Sequence, residues 1–162
     1  MGSRRWTSLR WNVIAAALTL LATVPAWARL GGDMASIQAD QTQLQGTRRV
    51  VTNQAYTVHE IQAASGTVVR EYLGGDGKVF AVAFKGPFFP DMRQLLGDYF
   101  AQYSAARQAQ VAQNPNMRRA RRPVVVDDPG LNVQIVGHPR AFAGRAYVPG
   151  SLPAGMQVED IQ

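Results

Sequence analysis

The chain has 162 residues, a formal net charge of +6 and no cysteine. This length suits a leader and one ordinary domain, and it is too short for two domains. The absence of cysteine excludes thiol catalysis, disulfide bonds and a lipid attached through an N-terminal cysteine. The fold must therefore be held together by its hydrophobic core.

The first 28 residues have the three parts of a secretory signal peptide. Arg4, Arg5 and Arg10 form a positively charged start, an apolar run of about 14 residues follows, and residues 26–28 read Ala-Trp-Ala, a small-x-small cleavage pattern. A membrane anchor is the alternative, but a bilayer span needs roughly 20 apolar residues. The arginine pair also suggests the twin-arginine route, although general secretion fits better. We expect cleavage after Ala28 and a soluble domain, periplasmic or secreted, that keeps no stable membrane span.

A basic cluster follows the middle of the chain and has two interpretations. It consists of Arg118, Arg119, Arg121 and Arg122. The first interpretation is a solvated loop. The second is a contact with lipid headgroups, acidic polysaccharide or an acidic protein, because arginine suits phosphate and carboxylate groups. We expect no nucleic-acid partner, since no recognition module is evident and the leader directs the chain out of the cytoplasm.

The segment of residues 29–55 is poorly defined by its sequence. Ile37, Gln41 and Leu44 could line a short helix with Ser36 as its N-cap. An extended edge segment is the alternative.

Three strand-like segments follow, at residues 56–62, 67–73 and 78–86. A two-residue turn at Gly75-Asp76 would place Val69 opposite Val82. Phe80, Val82 and Phe84 would then share one face of the last strand. Because the segment VFAVAF is apolar on both faces, we expect it in the middle of the sheet.

An amphipathic helix is predicted from about Asp91 to about Asn114. Apolar side chains recur at helical spacing, Pro90 and Asp91 suit the first turn, and the Asn114-Pro115 pair ends the pattern. Gly97 falls inside this helix, where it could allow close packing on the sheet. The apolar face comprises Met92, Leu95, Leu96, Tyr99, Phe100 and Tyr103.

A short strand PVVVDD and a second hairpin around Gly137-His138-Pro139 complete the pattern. The order of strands, one main helix and strands predicts an α+β fold in a single domain of residues 29–162. We expect an antiparallel sheet of about five strands, with one main amphipathic helix packed on it.

Residues capable of catalysis are few. The only histidines, His59 and His138, are far apart in the chain, and no Gly-x-Ser-x-Gly motif occurs. No spacing typical of metal ligands or of a phosphate loop is present, so we expect no metal and no cofactor. Glu60 and Glu71 lie on neighbouring predicted strands and could approach each other.

Long strings of the chain resemble a known family. They are YTVHEIQAASGTVVREY, VFAVAFKGPFFPDMRQLLGDYF, GHPRAFAGRAYVP and the terminal EDIQ. They are similar to bacterial exported proteins grouped as domain of unknown function 2844, from about Leu30 to Gln162. The resemblance implies an exported single-domain protein and supplies no active-site residues.

We expect this protein to act by binding rather than by catalysis. Its partner would be another envelope protein or an anionic envelope component. The expected surface combines the exposed side of the sheet with the hairpin at residues 137–140. Two alternatives stay open, an anionic-surface binder that uses the arginine cluster and a small hydrolase that pairs His59 or His138 with a carboxylate.

Overall fold

A computed structural model of the chain describes residues 29–113 and 124–162. The predicted signal peptide and its cleavage site at Ala28 lie outside these described residues. The arginine cluster, Arg118, Arg119, Arg121 and Arg122, also lies outside them.

The described residues form one antiparallel sheet of seven strands, in the order β1-β2-β3-β4-β7-β6-β5. The expectation of about five strands with one helix is therefore wrong, and the fold is richer in sheet. The strands are β1 Thr47–Thr52, β2 Tyr56–Gln62, β3 Val68–Gly74, β4 Val79–Gly86, β5 Val124–Asp128, β6 Leu131–His138 and β7 Ala141–Tyr147.

The sequence leaves strand β1 undefined, with an extended edge segment only as one of two alternatives, because it lacks the pattern of a half-buried strand. Its sequence TRRVVT places Val50 and Val51 next to each other, so they point to opposite faces, and each is 48% exposed. As the strand lies at the edge of the sheet, neither face is fully covered, and no apolar–polar alternation is needed.

The helices are α1 Met34–Gln43, α2 Met92–Leu96 and α3 Phe100–Gln113. Helix α1 starts two residues before the expected cap, because the Asp33 carboxylate accepts a hydrogen bond from the Ser36 amide at 3.1 Å. A 3₁₀ turn, Gly97–Tyr99, joins α2 to α3, so the predicted long helix is present with an interruption.

Gly97 causes that interruption and does not serve close packing on the sheet. Its φ is +50°, and a Cβ at this position would lie 2.2 Å from Cδ of Arg29. The missing side chain therefore makes room for Arg29, and the positive φ turns the chain between the two helices.

Each face of the sheet is covered over part of its area. The helices pack on one face, which we call the helix face, against the larger core cluster that includes Ile61, Val69 and Val82. The other face, the tail face, carries Tyr72, Phe80, Ala81, Ala83 and Tyr147, and the C-terminal segment of residues 149–162 packs on it through Ile161.

Strand β4 lies at the centre of the sheet, as the sequence predicts, but its register differs from the predicted one. Val69 lies opposite Phe84, because the connecting turn closes with a bond from the Gly74 amide to the Lys78 carbonyl. Phe80 is an extra residue in a bulge, so it joins the tail face while Val82 and Phe84 belong to the helix face.

No helix within the described ranges has both the length and the apolar character needed to cross a membrane.

Candidate functional site

The two histidines lie in different parts of the sheet. His59 is on β2, only 2% exposed, on the helix face. His138 ends β6 in an exposed turn, with Nδ1 3.2 Å from the Pro139 carbonyl oxygen. The structure therefore does not bring them into one site.

A row of paired residues crosses all seven strands on the helix face and contains His59. In sheet order the row is Val50, His59, Glu71, Val82, Ala146, Val133 and Val126. Five of its members are apolar, as expected for a face covered by helices. His59 and Glu71 are the exceptions, and they lie directly opposite each other on β2 and β3.

The carboxyl group of Glu71 meets a second buried carboxyl group. Asp40 reaches it from α1, and the exposed fraction of both residues is 0%. The two carboxyl groups interact with each other, and Gln94 of α2 donates from Nε2 to Oδ1 of Asp40 at 2.7 Å. We call Asp40 and Glu71 the carboxyl pair.

Burial and charge determine the protonation of this cluster. Desolvation, followed by the neighbouring Asp40, raises the pKa of Glu71 well above its ordinary value. Desolvation, followed by the positive charge of Arg48, lowers the pKa of His59. The folded state therefore favours the protonated form of Glu71 and the neutral form of His59.

This cluster is chemically unusual but is closed to substrate. Buried groups with shifted pKa values mark candidate catalytic sites. Glu71, however, has no solvent-exposed area, and His59 has almost none. Neither ring nitrogen of His59 has a hydrogen-bond partner within the part of the chain that the structure describes. In this conformation neither His59 nor the carboxyl pair can reach a substrate.

The expected approach of Glu60 to Glu71 does not occur. Glu60 is adjacent to His59, which pairs with Glu71, and adjacent residues on a strand point to opposite faces. Glu60 therefore lies on the tail face, where its carboxylate oxygen is 2.7 Å from Nε of Arg70. No group of three or more metal-ligating side chains occurs among residues 29–113 and 124–162.

On the tail face, the C-terminal segment is held through its backbone. The Tyr72 hydroxyl contacts the Asp160 and Gln162 carbonyl oxygens at 3.2 Å and accepts from the Gln162 amide at 3.1 Å. Arg145 donates to the Val158 carbonyl at 2.8 Å. The anchor within the core is Ile161, which is 1% exposed.

Beyond this segment, no residue of the described ranges covers the next part of the tail face. Lys85, Ala143 and Val136 form the next row, on strands β4, β7 and β6. They are shared by two adjoining clefts of about 350 and 300 Å³, one bounded by Gln162 and the other by Arg140. We call this uncovered region the hairpin-end cleft.

The hairpin-end cleft has an apolar floor and a cationic rim. Val136 is 51% exposed on the floor. Lys85 and Arg140 are exposed on the rim, and neither forms an ion pair with another described residue. Such a surface suits a partner that combines apolar and acidic groups. It includes the hairpin that the sequence indicated as a binding surface.

Sequence reasoning missed the carboxyl pair, although one signal was present. On β3 the neighbours of Glu71 on the same face are Val69 and Leu73, and on β2 the corresponding neighbour of His59 is Ile61. A charged residue at an inward position of a strand indicates a buried polar contact. Its partner Asp40 lies in the segment whose structure the sequence left undefined.

A family model described as a protein of unknown function, DUF2844, matches residues 26–161. The chain belongs to this family. No curated protein and no solved structure matched the chain.

Proposed function

We propose that this member of the family acts by binding a partner protein in the cell envelope, and not by catalysis. The observation that carries the proposal is the hairpin-end cleft, a strip of the tail face that no described segment covers. Its occupant would be an extended segment with apolar and acidic side chains.

The floor of the cleft supplies the apolar part of the binding energy. Val136 and Ala143 lie side by side near the hairpin end of β6 and β7, which pair over seven residues of each strand. An exposed valine on a strand contributes little to folding, but a partner that covers it removes its apolar surface from water.

The rim supplies orientation and specificity. Lys85 and Arg140 have no competing carboxylate among the described residues, so an acidic partner would meet two available cations. Arg145, in contrast, is already engaged by Gln134 and by the Val158 carbonyl. The cationic character of the cleft therefore depends on Lys85 and Arg140.

The positions of the reactive groups favour binding over catalysis. His59 and the carboxyl pair are buried on the helix face, while His138 is exposed and forms no ion pair with a described carboxylate. A hydrolytic site requires a nucleophile, a base and an orienting group at hydrogen-bond distance in an open pocket. The hairpin-end cleft contains no such set.

Export remains part of the proposal and is supported by the leader sequence alone. A positively charged start, an apolar run and a cleavage pattern at Ala28 would deliver residues 29–162 to the envelope. The partner would therefore be another envelope protein.

The test is an affinity capture from native envelope extract at low and high salt. Three baits would be compared with the unaltered protein: Val136→Ser for the floor, Lys85→Glu with Arg140→Glu for the rim, and Val51→Ser as the control. Val51 is 48% exposed and lies on β1, far across the sheet. We expect one protein to be retained by the unaltered and control baits and lost by the other two.

A fourth bait, with alanine at all four arginines of residues 118–122, tests the alternative that the arginine cluster is the binding site. Loss of an anionic lipid, a glycan or an acidic protein by this bait alone would make the arginine cluster the binding site. Equal capture by the floor, rim and control baits would contradict the proposed role of the hairpin-end cleft.

A further inference from the structure

We propose that the loop of residues 87–91 binds a membrane surface: the side chains of Phe88 and Phe89 enter an anionic phospholipid bilayer, and Lys85 and Arg140 contact its headgroups. We call residues 87–91 the phenylalanine loop. It connects β4 to α2 at one end of the sheet, beside the hairpin-end cleft. The inference goes beyond the proposed function and does not depend on the partner protein of that cleft.

The phenylalanine loop holds an exposed aromatic side chain on a fixed backbone. Phe88 is 60% exposed, the largest value among the large hydrophobic side chains of the described residues. Its amide donates to the Thr67 hydroxyl at 3.3 Å, and that hydroxyl donates to the Phe88 carbonyl at 3.1 Å. Pro87 and Pro90 restrict the backbone on either side. Folding therefore fixes Phe88 without burying its ring, so little conformational entropy is lost when another surface covers it.

Phe89 adds apolar surface to the loop and ties it to the core. Its ring lies 5.6 Å from the ring of Phe84 and 5.7 Å from that of Phe142, edge to face in both cases. Phe84 belongs to the buried core of the helix face. Phe89 nevertheless stays 44% exposed. The two adjacent phenylalanines therefore form an apolar patch whose base is anchored in the core.

The size of this patch favours a lipid surface over a second protein. Since a phenylalanine side chain has about 150–250 Å² of surface, exposed fractions of 60% and 44% leave roughly 200 Å² for the two together. A stable protein interface needs about 800 Å² from each partner. An aromatic side chain that enters a bilayer needs no complementary pocket, because transfer out of water is itself favourable.

The cations at this end of the sheet fit anionic headgroups. Lys85 lies on β4 two residues before the phenylalanine loop, and Arg140 lies in the turn between β6 and β7. Both are exposed, and neither forms an ion pair with another described residue. Arg140 and Pro87 line the same cleft. Cations beside an inserted apolar group strengthen attachment to an anionic membrane.

The nearby carboxylates do not oppose this orientation. Asp91, in the loop itself, accepts from a backbone amide of α2 at 2.8 Å and caps that helix. Three others, Asp76, Asp127 and Asp128, lie at the opposite end of the sheet, where they outnumber Lys78. The eight residues of β4 separate the two ends by roughly 25 Å. These charges favour an orientation in which the phenylalanine loop faces an anionic surface.

A fluorescent label whose emission depends on its surroundings tests the proposal. The chain has no cysteine, so a single introduced cysteine takes the label. Ser65→Cys places the label in the β2–β3 turn, where Gly66 lies beside Pro87. Gly75→Cys places it at the opposite end of the sheet, where a Cβ meets nothing within 4 Å. The full-length chain is mixed with vesicles of phosphatidylcholine and phosphatidylglycerol in equal parts, or of phosphatidylcholine alone.

The two labels should respond differently to the anionic vesicles. We expect the emission of the label at residue 65 to shift to that of less polar surroundings, and the emission of the label at residue 75 to stay unchanged. High salt or vesicles of phosphatidylcholine alone should weaken the response. Both labelled chains carry the same residues 1–28, so the comparison separates insertion of the phenylalanine loop from attachment through the leader.

Variants of the chain labelled at residue 65 identify the side chains that bind. Phe88→Ser should raise the lipid concentration at half-maximal response by about tenfold or more, as expected for the loss of one inserted phenylalanine. This variant keeps the backbone bonds to Thr67, so it should fold. Lys85→Glu with Arg140→Glu should also weaken the response. Val51→Ser, 48% exposed on β1, is the matched control and should leave it unchanged.

Four results would overturn the proposal. The first three are no response of the label at residue 65, an equal response of the label at residue 75, and an unchanged response in Phe88→Ser. The fourth is a response at residue 65 that grows with protein concentration without vesicles, which would mean that a second copy of the chain covers Phe88. An unchanged response in the double glutamate variant would exclude the contact of Lys85 and Arg140 with headgroups.

Discussion

His59 and Glu71 lie directly opposite each other on β2 and β3, and both side chains are buried on the helix face. Their pKa values shift in opposite directions, because desolvation disfavours the charged form of each group. Burial of the cluster therefore favours the neutral form of His59 and the protonated form of Glu71. Low pH disturbs the cluster by protonating His59, and high pH disturbs it by deprotonating Glu71.

We predict that His59→Gln removes the acid-sensitive part of the stability profile. The pKa of His59 is lowered in the folded state, so its contribution is present above 6.5 and is lost as the pH falls through the folded-state pKa. The slope for one proton is at most about 1.4 kcal/mol per pH unit. Urea unfolding at several pH values measures it.

The control for this prediction is His138→Gln, because His138 is exposed at the end of β6. It should leave the pH profile of the unfolding free energy unchanged. If the profiles of the two variants were the same, His59 would not be the source of the acid sensitivity.

We predict that Ile161→Ala detaches the C-terminal segment and destabilises the domain by about 2–5 kcal/mol. Ile161 is 1% exposed among the aromatic and alanine side chains of the tail face, so truncation leaves a cavity and weakens the only fully buried anchor of the segment. Denaturant unfolding gives the loss of stability, and limited proteolysis shows the release of residues 149–162.

Val136→Ala is the control for Ile161, because Val136 is 51% exposed and its truncation creates no cavity. It should change the unfolding free energy by less than about 0.5 kcal/mol. A comparable loss in both variants would mean that Ile161 does not anchor the segment.

The centre of the sheet could be predicted because its residues repeat one simple pattern. VFAVAF is apolar on both faces, and only a strand covered on both sides has that composition. Its register with β3 could not be predicted, since it depends on a longer turn with Gly77 at φ +75° and on the bulge at Phe80. Local sequence does not specify which turn closes a Gly-Gly-Asp-Gly segment.

The candidate site was less predictable than the fold because it depends on contacts distant in sequence. Asp40 and Glu71 meet only after α1 has packed across β3, and α1 itself has a weak apolar pattern. The hairpin could be predicted from its turn residues. The shape of the tail face there depends on how the C-terminal segment packs beside the cleft, with Gln162 at its border.

We predict that Gly97→Ala destabilises the domain by about 1–3 kcal/mol. Alanine rarely adopts the backbone angles of this position, φ +50° and ψ −120°, and its Cβ would lie between 2.2 and 2.6 Å from three carbon atoms of Arg29. Thermal unfolding measures the loss. Gly75→Ala is the control, because a Cβ there meets nothing within 4 Å, and its effect should be small.

Combining Gly97→Ala with Arg29→Gly separates the effect of the contact with Arg29 from the effect of the backbone angles. Removal of the Arg29 side chain relieves the contact but leaves the backbone conformation unchanged, so the double variant should be more stable than the sum of the single effects predicts. Additive effects would mean that the backbone angles alone require glycine.

We predict that Tyr72→Phe loosens the C-terminal segment while leaving the aromatic packing intact. The hydroxyl of Tyr72 serves the Asp160 and Gln162 carbonyls and the Gln162 amide, and the residue is 3% exposed. Loss of a buried hydroxyl with such partners costs about 1–3 kcal/mol. Hydrogen exchange of residues 158–162 should accelerate more than exchange in β4.

Tyr56→Phe is the matched control, since the Tyr56 ring lies 5.9 Å from the ring of Tyr72 in the same cluster. The Tyr56 hydroxyl forms no hydrogen bond with another described residue, so its removal should leave exchange in the C-terminal segment unchanged. Equal acceleration in both variants would show that the ring packing, and not the Tyr72 hydroxyl, holds the segment on the sheet.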